Sequence, residues 1–342
     1  MFYLSTRGSS ASWWLANSLS KHPNLVCFGA TRTFPPIEPN GFTPGGSKEI
    51  PELSPDDFIE GLLECERATS KQKIFGSIHG YHGIKAKEAC ESSGGIFSYV
   101  TRHPVSRVHS AFIYYLDLYY KANNIKVSNR ESHDHICSIF QEDAAAKNLA
   151  RLIDIRKTRI KQSPLKSMAK KVLPNSIVKG IASINNSTDT AKRFLAKPSF
   201  ALNETTFACN LIIDLTHSIF EFDEELHKEC PLDSGIKMEE MVKSGEYFKR
   251  HVLKRVAPDL NTTNSYIASI FSESRTYRTY TLSHQAIKAD GKRFNTHRDV
   301  PISHQEIWET WPIALKRNFL YFFERYNISE ICRHWDYDIS YI

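Results

Sequence analysis

The segment FYLSTRGSSASWWLANSLSKHP, residues 2–23, decides the fold of this chain. It opens with an apolar run, Phe2 to Leu4, that is too short for a helix, and a loop rich in Ser and Gly follows from Ser5 to Ser12. The apolar residues from Trp13 to Ser20 have helical spacing, and Pro23 lies just beyond their end. The segment therefore predicts a strand, a loop of small residues and a helix in succession.

Strand and helix patterns alternate in the residues that follow. Short β-prone runs flanked by turn residues predict further strands, and helical patterns lie between them. The predicted strands are residues 25–28, 74–78, 96–101 and 236–241, and the predicted helices are residues 58–68 and 104–120, the second beginning with a proline. This alternation predicts an α/β fold with a central parallel β-sheet flanked by helices.

The chain has 342 residues, a length that suits one large α/β domain or two small ones. We expect residues 1–342 to form a single domain. Residues 123–231 show no strand pattern, are basic and are interrupted by prolines, so we interpret them as a mainly helical insertion or cap within that domain. An aromatic segment, residues 303–326, predicts one closing helix.

The formal net charge of +6 is concentrated in the middle of the chain. Between Arg151 and Lys197 there are 12 Lys and Arg residues against two Asp residues, a local net of +10, so the remainder sums to −4. A nucleic-acid-binding protein usually carries its basic excess in the recognition fold itself, so this distribution argues against a nucleic-acid partner. The basic, helically spaced stretch 147–161 is expected to be a surface helix. The alternatives are a helix on an anionic membrane surface and one that lines a cap over an anionic substrate.

The seven cysteines are scattered and include no C-x-x-C pair, which argues against a disulfide framework and a structural zinc site. Arg7 follows the first apolar residues too soon for a signal peptide, and no apolar stretch is long enough to span a bilayer. We therefore expect a cytoplasmic protein that is not integral to a membrane. His133, Asp134 and His135 come nearest to a metal site, but consecutive residues rarely converge on one ion, so we expect a polar loop there and no metal.

The loop from Ser5 to Ser12, STRGSSAS, has the makings of an anion-binding site. Unpaired backbone N–H groups and the helix dipole face such a loop, and the Ser hydroxyls add donors. It is not a Walker A sequence, because no Gly-Lys-Ser/Thr follows and no lysine is present to reach a γ-phosphate. The alternative is a Ser-rich turn that caps the helix.

A second candidate anion site lies at Thr101-Arg102-His103-Pro104, where a strand ends and a helix begins. Ser110 lies eight residues after Arg102, which is about two helical turns. Arg102 and Ser110 can therefore converge on one anion. The alternative is that Arg102 is an ordinary surface charge.

Several separated blocks of the chain resemble the PAPS-dependent sulfotransferases, where PAPS is 3'-phosphoadenosine-5'-phosphosulfate. STRGSSASWWLANSLSKHP resembles the block that holds the 5'-phosphosulfate in that family, and SYVTRHPVSRVHSAF resembles the block that holds the 3'-phosphate. IKMEEM resembles the late strand with its acidic pair, and residues 295–326 with WDYDI resemble the closing segment. Trp335 replaces the glycine of the usual ending, and we expect it to serve packing. The middle of the chain matches no part of the family.

The resemblance implies a P-loop NTPase-like sulfotransferase fold and a set of donor-binding residues. Arg102 and Ser110 occupy the positions that hold the 3'-phosphate, and Lys292 or Arg293 could close over it from a late basic loop or form a solvated turn. The residues in the position of the 5'-phosphosulfate loop are Arg7, Gly8, Ser9, Ser10, Ala11, Ser12 and Trp13. Ala11 stands near the place where the family carries a glycine.

A histidine at a strand end is the candidate catalytic base. His79 follows a β-prone run and precedes Gly80, so it is expected at the carboxyl end of a strand, where the ligand crevices of parallel sheets open. Its ordinary pKa suits proton transfer at neutral pH, and several branches of the family carry a histidine there. His82 and a carboxylate, Glu64 or Glu66, are the alternatives. Arg7 and the loop donors would stabilise the transferred group's charge without Mg²⁺.

The sequence thus predicts an enzyme that transfers a sulfuryl group from PAPS to a hydroxyl or amine of a small intracellular acceptor, such as a specialised metabolite. The product beside the sulfate ester or sulfamate would be adenosine 3',5'-bisphosphate. Sulfation of a glycan or lipid is the alternative within this class. A P-loop kinase-like phosphotransferase and a non-catalytic polyanion-binding protein that uses residues 151–197 are the alternatives from other classes.

Overall fold

The computed structural model describes ten stretches of the chain and divides it into two compact units. The stretches are residues 1–7, 11–29, 33–34, 48–49, 53–68, 73–79, 82–125, 133–161, 203–272 and 303–342. The first unit is Met1–His103, Phe222–Arg293 and His334–Tyr337, and the second is Pro104–Glu221, Phe294–Arg333 and Asp338–Ile342. The single domain with an insertion at residues 123–231 stays a prediction.

The first unit contains a five-stranded parallel sheet. Its strands are β1 Phe2–Ser5, β2 Leu25–Gly29, β3 Ile74–His79, β4 Ile96–Thr101 and β5 Gly235–Lys237. They lie in the order β2-β3-β1-β4-β5, and every neighbouring pair is parallel. Two short strands, Thr33–Phe34 and Lys48–Glu49, pair antiparallel in a separate ribbon. The α/β class with a central parallel sheet is confirmed.

Helices connect these strands and make up the second unit. In chain order they are α1 Ser12–Ser20, α2 Pro55–Ala68, α3 Lys85–Ser92, α4 Pro104–Ala122, α5 His133–Gln141, α6 Asp143–Lys161, α7 Glu204–Glu229, α8 Met238–Lys243, α9 Asn264–Ser272, α10 His304–Thr310, α11 Ile313–Arg325 and α12 Ile328–His334. A 3₁₀ turn, Leu232–Ser234, precedes β5. Between α8 and α9 the chain is helical in three pieces, Gly245–Tyr247, Phe248–Leu253 and Lys254–Val256, of which the middle one is a π-helix.

Helices cover both faces of the sheet, because successive side chains of a strand point to opposite faces. Phe2 and Leu4 of β1 belong to a core that includes Leu15 of α1 and the π-helical segment. Tyr3, between them, belongs to a second core formed with α2 and α3, in which its ring meets Phe58 edge-on at 5.7 Å. Gly29 ends β2 against α1: a Cβ there would lie 2.6 Å from that of Ala16, so a side chain would push the helix away.

Two predictions about the ends of elements are wrong. The strand expected over residues 236–241 ends at Lys237, because Met238, Met241 and Val242 are buried at helical spacing and form α8. The single helix expected over residues 303–326 is broken at Trp311 and Pro312 into α10 and α11. Proline has no N–H to donate to the preceding turn, so the first helix ends before it.

The polar loop expected at His133 to His135 is also wrong, since these residues begin α5. Asp134 lies in the first turn, where a carboxylate interacts favourably with the helix dipole. The basic stretch 147–161 forms most of α6, and its Leu149 and Ile153 are buried while Arg151 is exposed. This supports a surface helix that packs through one face. None of the helices that the structure describes is both long and apolar enough to cross a membrane.

Candidate functional site

The sheet of the first unit has a topological switch point, where the connections from two neighbouring strands lead to opposite sides of the sheet. β1 and β4 are neighbours, but from β1 the chain passes to β2 on one side and from β4 to β5 on the other. Where the connections from two neighbouring parallel strands leave in opposite directions, a crevice usually forms between them, and ligands of open parallel sheets bind there. Both candidate anion-binding blocks begin at this point, at Thr6 and at Arg102.

The loop after β1 leads to the N-terminus of α1, where the N-cap residue Ala11 has no side-chain acceptor. Thr6 directly follows the strand and is 1% exposed, and its hydroxyl has no hydrogen-bond partner among the described residues. Arg7 is exposed, and α1 begins at Ser12 without a capping hydrogen bond from the residue before it. The N–H groups of a helix N-terminus, its dipole and a buried hydroxyl with no partner among the described residues together suit an anion.

Ala11, the residue before α1, has a left-handed backbone with φ 56° and ψ 27°. Glycine adopts this conformation without steric cost, whereas a Cβ is unfavourable there. The geometry turns the chain sharply into the helix, which is what an anion-binding loop between a strand and a helix requires.

Arg102 is 8% exposed, so it is not the solvated surface charge that was its alternative interpretation. It follows Thr101, the last residue of β4, and precedes His103, which is fully buried. A guanidinium so far removed from water is costly unless anionic or acceptor groups surround it. Its place at the switch point and its burial both favour a role in binding an anion.

Glu239 holds the backbone beside Arg102 in place, and sequence reasoning missed this role. One of its carboxylate oxygens accepts a hydrogen bond from the backbone N–H of His103 at 2.8 Å, and the other accepts one from the Tyr337 hydroxyl at 3.0 Å. The His103 ring packs edge-on against Tyr337 at 5.3 Å. The acidic pair of residues 239 and 240 was visible in the sequence, but its partners lie far away along the chain.

Trp335 packs, as expected, against the start of β5. Its indole lies so close to Gly235 that a Cβ there would overlap the ring, and it meets the Tyr99 ring edge-on at 6.1 Å. Lys237 extends its ammonium over the Tyr337 ring at 4.8 Å. The closing residues of the first unit therefore pack along β5 and the end of β4.

His79 is the last residue of β3, so its expected position at the carboxyl end of a strand is confirmed. Its Cα is paired in register with that of Ser5, the last residue of β1. Neighbouring strands lie about 4.8 Å apart, so the His79 backbone is next to the start of the candidate anion loop. Its role as the catalytic base stays a prediction.

His82 and Glu66, two of the alternative bases, have other contacts. The His82 ring is 8% exposed and lies 5.2 Å from that of Phe58. Burial, followed by the charge of Lys85, lowers the pKa of His82. Glu66 pairs at 3.2 Å with the amino group of Met1, at the opposite edge of the sheet, and Glu64 is exposed on α2. Glu66 is therefore engaged in an ion pair, and the choice among His79, His82 and Glu64 stays a prediction.

Ser110 lies in α4, two turns into the helix, and is partly exposed. The boundary between the two units falls between His103 and Pro104, so the convergence of Arg102 and Ser110 on one anion stays a prediction. Gly8, Ser9, Ser10, Lys292 and Arg293 lie outside the described residues. Ser12 and Trp13 begin α1, and nothing is described of the Trp13 side chain.

The second unit contains a buried polar cluster that sequence reasoning did not predict. His133 lies 2.6 Å from the Thr310 hydroxyl, 3.4 Å from the His109 ring and 3.4 Å from the Cys137 sulfur. Burial raises the pKa of the Cys137 thiol to about 11, so it is neutral at physiological pH. In the described part of the chain, no group of three His, Cys, Asp or Glu side chains is arranged to hold a metal ion.

Comparison of the chain with protein-family models, with curated proteins and with solved structures gives no match. The chemistry of the site therefore has to be argued from its own residues. At the carboxyl edge of the parallel sheet, these residues are the N-terminus of α1, after β1, and the nearly buried Arg102, after β4.

Proposed function

We propose that this chain is a PAPS-dependent sulfotransferase with a P-loop NTPase-like sulfotransferase fold. One observation carries the proposal: at the switch point of the sheet, the loop after β1 contains the buried hydroxyl of Thr6 and leads through Ala11, which has no capping side chain, to the N-terminus of α1, and the nearly buried Arg102 follows β4. Each of these features suits an anionic group. PAPS carries anionic groups at both ends, a 5'-phosphosulfate and a 3'-phosphate, and so matches a site with two anion-binding elements.

The residues of the site divide between the two ends of the donor. Thr6, Arg7 and the N–H groups at the start of α1 would hold the 5'-phosphosulfate, together with the loop residues 8–10. Arg102, with Ser110, would hold the 3'-phosphate, and Lys292 or Arg293 would close over it. PAPS itself supplies a sulfuryl group activated by its anhydride bond to phosphate.

His79 would act as the general base. It would take the proton from the acceptor's hydroxyl or amine as that oxygen or nitrogen forms its bond to sulfur. Arg7 and the helix N-terminus would stabilise the charge on the departing 5'-phosphate as the sulfur–oxygen bond breaks. The products are a sulfate ester or sulfamate and adenosine 3',5'-bisphosphate. The pairing of Ser5 with His79, at the ends of β1 and β3, supports this division of roles, because it brings the backbone of the proposed base next to the start of the candidate anion loop.

We propose a small intracellular acceptor, such as a specialised metabolite, with a glycan or lipid as the alternative. A screen of small hydroxyl and amine compounds, oligosaccharides and lipids with labelled PAPS would decide between them. Transfer of label to oligosaccharides or lipids alone would rule out the small acceptor.

Calorimetric titration with adenosine 3',5'-bisphosphate and with AMP, without added metal, tests the donor site. We expect a clear preference for the bisphosphate, because only it carries the 3'-phosphate. Arg102→Ala should weaken its binding by at least about tenfold, the value of one charge-assisted hydrogen bond. Arg67→Ala is the matched control, since the Arg67 guanidinium is 64% exposed and pairs with the exposed Glu60.

Because Arg102 is buried, its variant could fail to fold, and Thr6→Val provides a second test. This substitution replaces the hydroxyl, which makes no hydrogen bond with the described residues, by a methyl group of similar size, so it should weaken binding without destabilising the fold. Equal affinity for the bisphosphate and AMP would contradict the proposal. ATP binding that requires Mg²⁺ would favour a phosphotransferase, and salt-sensitive polyanion binding that survives Arg102→Ala would favour a non-catalytic binder.

A further inference from the structure

The π-helical segment Phe248–Leu253 places two lysines on one side of the helix. The hydrogen bonds of a π-helix join residues five apart, and here the backbone N–H of Lys254 donates to the carbonyl of Lys249. In an α-helix two residues five apart differ by about 140° around the axis. The π-helical winding therefore places Lys249 and Lys254 on successive turns of the same face.

This face borders a cavity of about 190 Å³. The lining residues are Lys249, Leu253, Lys254, Ala257, Pro258, Leu260, Asn261 and Thr262. The lining residues thus include two lysines, an asparagine and a threonine beside apolar residues, and none of them carries a carboxylate. Neither lysine ammonium forms a hydrogen bond or ion pair with any residue that the structure describes. The volume corresponds to about six water molecules, which is enough for a tetrahedral oxyanion and a few carbon atoms.

The cavity lies away from the candidate donor site. The backbone carbonyl of Asn261 is 3.4 Å from the ring of His22, and Lys21 donates to the carbonyl of Ser269 at 2.8 Å. Lys21 and His22 follow the C-terminus of α1, at the amino edge of the sheet, whereas the donor site lies at the carboxyl edge where α1 begins. Within the first unit, the two sites are therefore at opposite edges of the sheet.

We propose that this cavity is a second anion site, which binds a phosphate or sulfate monoester with a short hydrocarbon group. Two ammonium groups on one wall attract a tetrahedral oxyanion, and Asn261 and Thr262 offer it further donors. Leu253, Ala257 and Leu260 provide the apolar contact for the ester's carbon atoms. π-helical turns are rare and occur often at functional sites, which agrees with the use of this one to align two cations.

Titration of the full-length protein with butyl phosphate, butyl sulfate, inorganic phosphate and 1-butanol tests the proposal. Binding is measured by calorimetry and by shifts of the Asn261 and Thr262 amide signals in TROSY spectra. We expect at least one of the two esters to bind more tightly than inorganic phosphate, and 1-butanol not to bind. Lys249→Gln and Lys254→Gln should each weaken ester binding by at least about tenfold.

Arg250→Gln is the matched control, because it removes one positive charge from the same segment. The Arg250 guanidinium pairs with Glu246 at 2.6 Å and does not line the cavity, so its loss should change ester affinity less than about twofold. Ester binding should also survive Thr6→Val, which separates this site from the donor site. Absence of ester binding at millimolar concentration, or equal affinity in the lysine variants and the wild type, would overturn the proposal.

Discussion

Replacing Glu239 with Ala should destabilise the first unit and weaken donor binding at the same time. The His103 residue is fully buried, so its backbone N–H would lose its acceptor at 2.8 Å and find no water in its place. Leaving one buried donor unsatisfied costs about 1–3 kcal/mol. Loss of the Tyr337 hydrogen bond at 3.0 Å adds about 1 kcal/mol. We therefore expect the free energy of unfolding to fall by about 2–4 kcal/mol.

Urea unfolding followed by circular dichroism measures this change, and Glu240→Ala is its matched control. The Glu240 side chain is exposed and makes no hydrogen bond or ion pair with the described residues, so its removal should cost less than about 0.5 kcal/mol. Tyr337→Phe completes a double-mutant cycle with Glu239→Ala. Because the two groups share one hydrogen bond, the cycle should show a coupling of about 1 kcal/mol.

The functional part of this prediction depends on the position of Arg102, which directly precedes His103. Release of the His103 backbone would let the end of β4 move, and adenosine 3',5'-bisphosphate should bind at least about tenfold more weakly to Glu239→Ala than to Glu240→Ala. Equal stability of the two variants, within about 0.5 kcal/mol, would refute the stabilising role of the Glu239 hydrogen bonds. If only stability changed and binding did not, the structural role of Glu239 would stand and its link to the donor site would fail.

Three further substitutions test the fold around the site. Gly76→Ala would place a Cβ against the ring of Phe2 and should lower the free energy of unfolding in urea by about 1–3 kcal/mol. In a Phe2→Leu background the same change should lower it clearly less, and equal losses would show that the ring is not the obstacle. Ala11→Val should cost about 1 kcal/mol or more because β-branched residues avoid the left-handed backbone, and a neutral result would contradict that conformation. Burial lowers the pKa of His82 below its ordinary 6.5, so the unfolded chain takes up the proton first and the protein loses stability as the pH falls below about 6.5. His82→Gln should reduce this loss of stability, as measured by unfolding between pH 7 and 5, while substitution of the exposed His251 by Gln should not.

Local patterns in the sequence were sufficient to predict the positions of most strands and helices of the first unit. Strand β4 has the expected bounds, and β2 and β3 each extend one residue beyond theirs. These strands are short apolar runs between turn residues, and their pattern depends only on neighbours in the chain. The two wrong predictions, a strand that includes Met238 and a helix that continues through Pro312, also concern local signals. The helical spacing in α8 and the proline between α10 and α11 are both present in the sequence.

The candidate site was predictable only in part. The strand-end positions of Arg102 and His79 followed from the alternation of strands and loops. Three other features could not be predicted, because each depends on residues from distant parts of the chain. They are the burial of Arg102, the lack of a partner for the Thr6 hydroxyl among the described residues, and the hydrogen bond from the His103 backbone to Glu239. Likewise, the face shared by Lys249 and Lys254 depends on a π-helix, which no simple periodicity in the sequence indicates.

The sequence by itself determined the α/β class, the alternation of strands and helices, and the residues that follow each strand. Only the tertiary structure decided the order β2-β3-β1-β4-β5 and, with it, the switch point between β1 and β4. Elements form through contacts between residues close in the chain, so local sequence encodes them. Strand order and register arise from pairings such as Ser5 with His79, between residues far apart in the chain, and these are selected only when the whole sheet and its two cores pack together.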